Sequence, residues 1–412
     1  MKPQKGNLGK ISIECMMNSS NNNGLETMKV TSLELKDVGG IPYLKLENID
    51  PQMNIICGEN GVGKTNILDS IAYMFSAINR NSISLRKGAE NGHITIETNF
   101  QNFERMNRAI MQYGPIDRYI DHRSDEVLDK LLYLQVNRVF KYKKEHNIGV
   151  DKDPLEAARS NTAGVTNEDL KNWLVIRKGF AKDNLTKTQQ QNADLATRCF
   201  SILNPEYSFS SVGTNFEVYI KSPTSNDGEI HFEFLSSGFK STLFILLGII
   251  KELDLRFKDK IAAEDYEGII LIDEIELHLH PEWQGRICGA LKEVFPKAQF
   301  FLTTHSPHVV QTARHGEVIA LERKDGEVIR RELPTSEYGY QGWTIEEVLK
   351  DVMGMPDLRT KTYEAIRNDF MDAFKQQNQL RAAEAFDKLS RMLHPHSELK
   401  AIYQMQLDSL GD

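Results

Sequence analysis

The sequence predicts an α/β fold that is interrupted by a helical lobe and followed by a helical tail. A strand that ends at Cys57 runs into a glycine-rich loop, and apolar residues then recur at helical spacing from Ile67 to Ile78. Two nearly continuous apolar runs, Ile269 to Ile272 and Phe300 to Leu302, are typical of strands buried on both faces of a parallel sheet. These three segments together indicate a sheet with helices packed against it.

The N-terminal part divides into two segments of different composition. Residues 1–27 are rich in Asn, Ser and Gly, and this polar composition predicts a flexible arm. In residues 28–100, short apolar runs predict strands over Val30 to Leu35, Tyr43 to Leu46 and His93 to Glu97. The glycine-rich loop and its helix lie in this second segment, which is therefore expected to be the first part of the α/β region.

The middle of the chain is expected to leave the sheet and return to it. Residues 101–205 are mostly polar and predict an inserted helical lobe with one apolar stretch, Leu131 to Leu134. Alternation returns at Tyr207 to Phe209 and at Phe216 to Ile220, which is typical of half-buried strands. We therefore expect residues 206–339 to complete the α/β region.

The last segment, residues 340–412, is expected to be helical. Thr344 and Glu347 form a capping box that opens a helix. Two apolar stripes follow at helical spacing, and they predict either an intramolecular helical hairpin or a face that binds a partner. The stripes consist of Tyr363, Ile366, Phe370 and Phe374, and of Leu380, Ala383, Leu389 and Leu393.

Composition narrows the class of protein. The chain has 412 residues, of which 40% are hydrophobic and 26% charged, so that it can bury a globular core. Its net charge of −8 restricts any nucleic-acid contact to a local patch. The four cysteines are far apart in sequence, which supports neither a disulfide framework nor a zinc ribbon. The longest apolar run, Leu243 to Ile250, is too short to span a bilayer, and we expect a soluble cytoplasmic protein.

The glycine-rich loop matches the phosphate-loop pattern G-x-x-x-x-G-K-[ST] between a strand and a helix. Backbone N–H groups of such a loop point at phosphate oxygens, and the helix N-terminus favours the anion. Lys64 is expected to reach the β- and γ-phosphates of ATP, and the Thr65 hydroxyl to bind Mg²⁺. The predicted nucleotide-binding residues of the loop are Asn60, Gly61, Gly63, Lys64 and Thr65.

Polar residues follow each of the two apolar runs. Asp273 and Glu274 come directly after the first run, where Asp273 suits Mg²⁺ positioning and Glu274 suits the role of general base for the attacking water. His305 follows the second run, at an edge from which it could contact the γ-phosphate. The predicted catalytic residues are therefore Glu274 and His305.

These motifs, together with Leu235-Ser236-Ser237-Gly238, resemble those of the ATP-binding-cassette (ABC) ATPases of the RecF/SMC/OLD branch. The resemblance implies a P-loop head with a mixed sheet and a helical lobe inserted between the phosphate loop and the signature. It also implies a head-to-tail homodimer or higher oligomer, in which Ser236 and Gly238 of one copy close over ATP and Mg²⁺ held by another. Phe239 departs from the pattern, since the family usually has Gln or Glu there. Gln135 is the better candidate for the family's Q-loop glutamine, and Gln101 the weaker.

Within that branch, the insertion is too short for an SMC coiled coil, and no Asp-x-Asp cluster of an OLD-type nuclease follows His305. The long lobe and the segment from Glu276 to Pro281 also argue against a transporter ATPase. Val136-Asn137-Arg138, Glu276 to Pro281 and Trp343 to Leu349 look like the ATPase subunit of bacterial Septu-type anti-phage systems, the PtuA family. In those systems, some of which belong to retrons, the ATPase works beside a separate HNH nuclease.

Three functional hypotheses follow from the resemblance. The leading one is an ATPase that senses infection and regulates a nuclease bound through residues 340–412. The alternative is a RecF-like repair ATPase that clamps duplex DNA on ATP-dependent dimerisation; it needs the basic and aromatic patch from Arg138 to Lys144 to contact nucleic acid. A third is an ATP-locked scaffold that scarcely turns over, in which Lys64 would matter and Glu274 would not.

Overall fold

The computed structural model describes ten stretches of the chain: residues 28–75, 83–100, 103–111, 130–134, 167–180, 184–223, 228–257, 259–334, 336–355 and 359–410. The chain divides into two compact units, Met1–Val348 and Leu349–Asp412. The predicted boundaries of the arm, the inserted lobe and the tail stay predictions.

The strands are, in chain order, β1 (Val30–Val38), β2 (Ile41–Leu46), β3 (Met53–Gly58), β4 (Asn91–Thr98), β5 (Arg105–Met111), β6 (Leu131–Leu134), β7 (Ser208–Val212), β8 (Val218–Lys221), β9 (Glu229–His231), β10 (Ile269–Ile272), β11 (Gln299–Thr303), β12 (Val318–Lys324) and β13 (Glu327–Arg330).

The α-helices are α1 (Lys64–Phe75), α2 (Asn167–Val175), α3 (Lys187–Leu203), α4 (Ser237–Phe257), α5 (Pro281–Gln284), α6 (Ile287–Val294), α7 (Pro307–Gln311), α8 (Ile345–Glu347), α9 (Lys361–Lys375), α10 (Gln379–Met392) and α11 (Glu398–Asp408). Two π-helical segments, Ile176–Phe180 and Val348–Val352, follow α2 and α8. In the described part of the chain, no helix has both the length and the apolarity to cross a membrane.

A mixed sheet forms the centre of the first unit. Among the described residues its strand order is β13-β12-β3-β11-β10-β6, and the strands run parallel except for β13, which is antiparallel to β12. The two apolar runs of the sequence form β10 and β11, which pair in parallel with Ile272 opposite Leu302. Both strands are fully buried, which is why they lack polar alternation. The predicted α/β fold with a mixed sheet is confirmed.

An antiparallel sheet covers one side of the phosphate-loop helix. Its strand order is β2-β1-β4-β5, and β1 pairs with both β2 and β4. Leu33 and Leu35 of β1, Ile94 of β4 and Ile67 and Ile71 of α1 lie in one apolar core, each 0% exposed. This core anchors α1 from its apolar face, so the loop at the N-terminus of α1 is held between two sheets.

The segment 101–205, predicted to be helical, also contributes two strands. β5 extends the antiparallel sheet beside β4, and β6 is the edge strand of the central sheet beside β10. The β5 strand buries Met106 and Ile110, which are four positions apart, and this spacing of buried residues resembles that of a surface helix. Helices α2 and α3 account for the helical part of the segment that is described.

The predicted capping box is confirmed in the first unit. Thr344 Oγ1 accepts a hydrogen bond from the Glu347 N–H at 3.2 Å, and Glu347 Oε2 accepts one from the Thr344 N–H at 2.7 Å. The α-helix that it opens is short, because the π-helical segment Val348–Val352 follows at once.

The second unit is a small helical assembly with its own core. Phe370 of α9, Leu389 of α10 and Tyr403 of α11 are buried together, and α9 and α10 form the predicted hairpin. The predicted stripe of α10 was wrong at two positions: Leu380 is 76% exposed and Ala383 is also exposed. The helix instead buries the face with Ala382, Ala385 and Leu389, because small side chains let α10 approach α9 closely.

Candidate nucleotide-binding site

The phosphate loop joins β3 to α1 at the C-terminal edge of the central sheet. Its glycines at positions 58 and 63 have φ angles of +139° and +112°. A Cβ atom on Gly58 would lie 2.3 Å from the backbone oxygen of Leu321, and one on Gly63 would lie 2.7 Å from Cγ1 of Ile41. Both positions therefore require glycine for backbone conformation and for space.

The Lys64 ammonium is bonded to the loop itself. Nζ donates hydrogen bonds to the backbone oxygens of Gly58 at 2.9 Å and Glu59 at 3.0 Å. Burial lowers the pKa of the Lys64 amine, against the opposing effect of neighbouring acidic groups. Asn60 and Gly61 are exposed, so the tip of the loop is accessible from solvent while its lysine is held in place.

Thr65 and Asp273 bring together oxygen atoms from the loop and from β10. The Thr65 hydroxyl lies 3.3 Å from each of the two carboxylate oxygens of Asp273. Asp273 is only 6% exposed, whereas Thr65 is exposed. A hydroxyl and a carboxylate are hard oxygen donors of the kind that Mg²⁺ prefers, so the pair fits a site for that ion.

One hydroxyl of β11 contacts both acidic residues that follow β10. Thr303 Oγ1 donates a hydrogen bond to Asp273 Oδ1 and accepts one from the Glu274 N–H at 2.8 Å. Glu274 has a φ of +48°, a left-handed conformation that is unfavourable for a residue with a Cβ atom. The Ile275 N–H also bonds to the Thr303 backbone oxygen at 3.0 Å, so the turn that carries Glu274 is held against the end of β11.

His305 follows β11 in the central sheet, and β11 lies between the phosphate-loop strand β3 and the Asp273 strand β10. The residue is exposed, while its backbone N–H donates a hydrogen bond to Glu276 Oε1 at 2.7 Å. Glu276 Oε2 accepts a second hydrogen bond, from Thr304 Oγ1 at 2.8 Å. The backbone at His305 is thus fixed by the turn after β10.

The signature residues lie at the N-terminus of the long helix α4. Ser236 is exposed, and its Oγ accepts a hydrogen bond from the Phe239 N–H at 3.3 Å. Gly238 is required for space, because a Cβ atom there would lie 2.5 Å from Cδ1 of Trp283. Phe239 is buried, with its ring centroid 5.2 Å from those of Trp283 and Tyr207. Phe239, where the sequence departs from the family's signature, is therefore a packing residue.

Three residues of the types that bind metal ions lie at the ends of β8 and β9, before the signature. Ligand atoms of Glu217, His231 and Glu233 lie within 4.8 Å of one another. Lys171 of α2 forms ion pairs with both carboxylates, at 2.8 Å in the case of Glu217. Burial opposes the charge of Lys171, yet the hydrogen bonds that its ammonium donates to the two glutamates raise its pKa. The lysine pairs with both carboxylates, and the cluster is an ion-pair network.

Three predicted features lie outside the described residues: Gln135, its weaker alternative Gln101, and the basic patch from Arg138 to Lys144. The described stretch before Gln135 ends at Leu134, the last residue of β6. The Leu134 backbone oxygen accepts a hydrogen bond from the Asp273 N–H at 3.3 Å.

Sequence reasoning assigned no role to Thr303, Glu276 or Trp283. The first two lie within segments that contain predicted site residues, but their partners depend on β10 and β11 being neighbours. A usable signal was the polar pair Thr303-Thr304, which ends an apolar strand at the same sheet edge as Asp273. Trp283 had no such signal, since its contact with Phe239 joins distant parts of the chain.

Among solved structures, the SMC head domain from Thermotoga maritima is similar, with a TM-score of 0.41 and 15% identity over 74% of this chain and 100% of that chain. Among known proteins, "Retron Vc95 probable ATPase" of Vibrio cholerae serotype O1 biovar El Tor is 22% identical over 394 residues, which cover 72% of this chain and 74% of that protein.

Two further comparisons show the family. Residues 53–311 match the family described as "AAA domain, putative AbiEii toxin, Type IV TA system". "Septu protein PtuA" of Bacillus thuringiensis is 39% identical over 393 residues, which cover 93% of this chain and 98% of that protein. The chain therefore carries a P-loop ATPase domain of the AAA/ABC class and belongs to the PtuA family of Septu proteins.

Proposed function

We propose that this protein binds and hydrolyses ATP with Mg²⁺ as the ATPase subunit of a cytoplasmic anti-phage defence complex, in which it senses infection and regulates a separate HNH-type nuclease. The observation that carries the ATPase part is the approach of Thr65 to Asp273, at 3.3 Å, directly beside Glu274 and the phosphate loop. This arrangement joins phosphate binding, metal binding and a general base at one sheet edge.

The Thr65 hydroxyl and the Asp273 carboxylate would hold Mg²⁺ together with phosphate oxygens of the nucleotide. When bound, the ion would neutralise charge on the phosphates. The buried Thr303 hydroxyl fixes Oδ1 of Asp273, while both carboxylate oxygens stay 3.3 Å from the Thr65 hydroxyl. The protein therefore supplies an oriented donor set.

Lys64 and the loop N–H groups would stabilise negative charge on the β- and γ-phosphates. Glu274 is partly exposed and is fixed through its backbone, so its carboxylate is suited to accept a proton from the attacking water. His305 would donate a hydrogen bond to the γ-phosphate. Phosphoryl transfer depends mainly on positioning and charge stabilisation, and these residues supply both.

The signature residues would complete the site from a second copy of the chain. Ser236 is exposed at the N-terminus of the 21-residue helix α4, where a hydroxyl and the helix dipole both favour an anion. We propose a head-to-tail homodimer or higher oligomer in which Ser236 and the backbone at Gly238 contact nucleotide held by the partner's loop. ATP binding would then stabilise the assembly.

The defence role is supported by the similarity to a Septu PtuA protein over most of both chains. The second unit, within residues 340–412, is our proposed binding surface for the nuclease. Leu380 of α10 and Met405 of α11 are 76% and 71% exposed there, and exposed large apolar side chains favour contact with another protein. Nucleic-acid contact at residues 138–144 stays a prediction.

The ATPase proposal is tested by measuring phosphate release from ATP by the wild-type chain, the K64A variant and the E274Q variant. We expect hydrolysis by the wild type, loss of ATP binding in K64A, and retained binding with hydrolysis lowered by at least about 100-fold in E274Q. Equal rates in the wild type and K64A would overturn the proposal. Full protection of cells against phage by E274Q, with protection lost in K64A, would support an ATP-locked scaffold instead.

The partner proposal is tested by purifying the tagged chain from its native operon with and without residues 340–412. Co-elution of a nuclease that is lost on truncation would support the regulatory role. Recovery of the ATPase with duplex DNA, and without a nuclease, would contradict it and favour the repair clamp.

A further inference from the structure

We propose that Glu276 is a positioning residue for ATP hydrolysis, which fixes the backbone of His305 so that its side chain is presented to the γ-phosphate. The inference rests on the proposed ATPase function and concerns a residue to which neither the motifs nor the comparisons give a role. Glu276 lies in the turn after β10, and its carboxylate accepts two hydrogen bonds from the residues that follow β11.

The carboxylate uses both of its oxygens on the segment that carries His305. Oε1 accepts the His305 N–H at 2.7 Å, and Oε2 accepts the Thr304 hydroxyl at 2.8 Å. Hydrogen bonds to an ionised carboxylate are shorter and stronger than those between neutral groups. Two such bonds to consecutive residues fix the direction in which the chain leaves β11.

The opposite contact completes a reciprocal arrangement. Thr303 of β11 holds the Glu274 N–H at 2.8 Å, so each strand end supplies the side chain that fixes the functional residue of the other. The left-handed backbone of Glu274, with φ of +48°, is kept in place by this contact. The general base and the switch histidine are therefore held by one hydrogen-bonded unit.

Further contacts fix the remaining sides of this segment. The Thr304 N–H donates to the Ile56 backbone oxygen at 3.0 Å, and Ser306 Oγ donates to Gln284 Oε1 at 2.6 Å. Glu276 thus ties Thr304 and His305 to the turn after β10, as Thr303 ties the end of β11 to that turn, while the Thr304 N–H and the Ser306 hydroxyl bond to β3 and α5. Loss of Glu276 is expected to leave the strand in place and to change the position of His305 relative to Glu274.

A double-mutant cycle separates positioning from general stability. The variants are E276A, H305A and E276A/H305A, and the matched control is E282A, which removes an exposed glutamate of the next helix. We expect E276A to lower kcat by roughly 10- to 100-fold while KM changes by less than about 3-fold. In the H305A background the same substitution should lower kcat by less than about 3-fold, because the residue on which it acts is gone.

Conservative variants test which of the two hydrogen bonds matters. E276Q keeps an acceptor for the His305 N–H and should recover most of the lost kcat. T304V removes the second bond together with the hydrogen bond that Thr304 Oγ1 accepts from the Ser306 N–H at 3.0 Å, and its kcat should still stay within about 5-fold of the wild type. If E276A does not fold, E276Q takes its place in the cycle. We then expect E276Q to lower kcat by about 3- to 10-fold in the wild type and not to lower it in the H305A background.

A kcat for E276A equal to that of the wild type would overturn the proposal. If E276A lowered kcat by the same factor in the wild type and in H305A, the proposal would also be overturned, because Glu276 would then act independently of His305. Failure of the proposed ATPase function is recognised separately, because the wild type would then release phosphate no faster than K64A.

Discussion

The Thr65 hydroxyl lies 3.3 Å from each carboxylate oxygen of Asp273, although 208 positions separate the two residues in the chain. This approach follows from the strand order, which places β3 and β10 on either side of β11 with their C-terminal ends at one edge. Oxygen donors from two motifs therefore meet where the phosphate loop ends, and their removal should affect metal-dependent binding.

Replacement of Thr65 by Val should weaken ATP binding only when Mg²⁺ is present. The substitution removes one oxygen donor and keeps the shape of the side chain, so we expect a loss of about 10-fold or more in affinity for Mg-ATP and little change for ATP with EDTA. Isothermal titration calorimetry checks this, with T188V as the control at a distant threonine. Equal losses with and without the metal would contradict a metal-binding role for Thr65.

Phe239 should be important for stability and not for nucleotide contact. It is 3% exposed against Trp283 and Tyr207, so F239Q should lower the free energy of unfolding by about 3 kcal/mol. The matched control is F234Q, at a position that is 74% exposed, where we expect a change within about 0.5 kcal/mol. Urea unfolding measures both; a stable F239Q with faster hydrolysis would show that the signature position contacts nucleotide after all.

The buried Asp254 of α4 should be among the most sensitive positions where α4 packs against the helices of the inserted segment. Its carboxylate accepts hydrogen bonds from Trp173 Nε1 and Asn192 Nδ2, both at 2.9 Å, and pairs with Arg177 Nη2 at 2.8 Å. D254N would remove the carboxylate charge that faces the buried Arg177 guanidinium, at a cost of about 3–5 kcal/mol in unfolding free energy. The control D194N removes an ion pair at the exposed Asp194 and should lower the unfolding free energy by less than about 1 kcal/mol. Equal losses for D254N and D194N in urea unfolding would show that the burial of Asp254 does not matter.

Lys29 should make stability depend on pH in alkaline solution. Burial lowers the pKa of its amine to about 8, against a raising effect of Glu267. In the unfolded chain the pKa is about 10.4, so between these two values the unfolded state holds more protons and the unfolding free energy rises with pH. At pH 7 the wild type bears the cost of holding this amine charged in a buried place, and K29M does not. K29M should therefore be more stable than the wild type at pH 7, and this difference in unfolding free energy should shrink by pH 10. For the control K187M we expect a difference from the wild type that does not change between pH 7 and pH 10. The same constancy for K29M would contradict a lowered pKa of Lys29.

The fold could be predicted from the sequence where one short segment carries its own signal. The fully buried β10 and β11 showed as unbroken apolar runs, and the phosphate loop showed through its glycine spacing. β5 was not predicted, because its two buried residues, Met106 and Ile110, stand four positions apart in a polar segment, as on a surface helix. The buried face of α10 was misplaced at Leu380, since close packing on α9 favoured the alanines one face away.

The candidate site could be predicted as a set of residues but not as a set of contacts. Lys64, Thr65, Asp273 and His305 stand in motifs with characteristic spacing. The roles of Thr303 and Glu276 depend on which strands become neighbours, and the role of Phe239 depends on a tryptophan brought near by a later helix. Such long-range partners leave no periodic pattern in a single sequence.

We propose that two copies of the chain share each ATPase site, and complementation between two inactive variants tests this sharing. K64A has a defective phosphate loop and an intact signature, whereas S236R has an intact loop and a blocked signature. In a head-to-tail dimer, mixed pairs contain one complete site, so an equimolar mixture should regain about a quarter of the wild-type ATPase rate while each variant alone stays inactive. A mixture that forms mixed dimers, detected with two different tags, and yet remains inactive would contradict the shared site, as would an S236R variant that hydrolyses ATP at the wild-type rate.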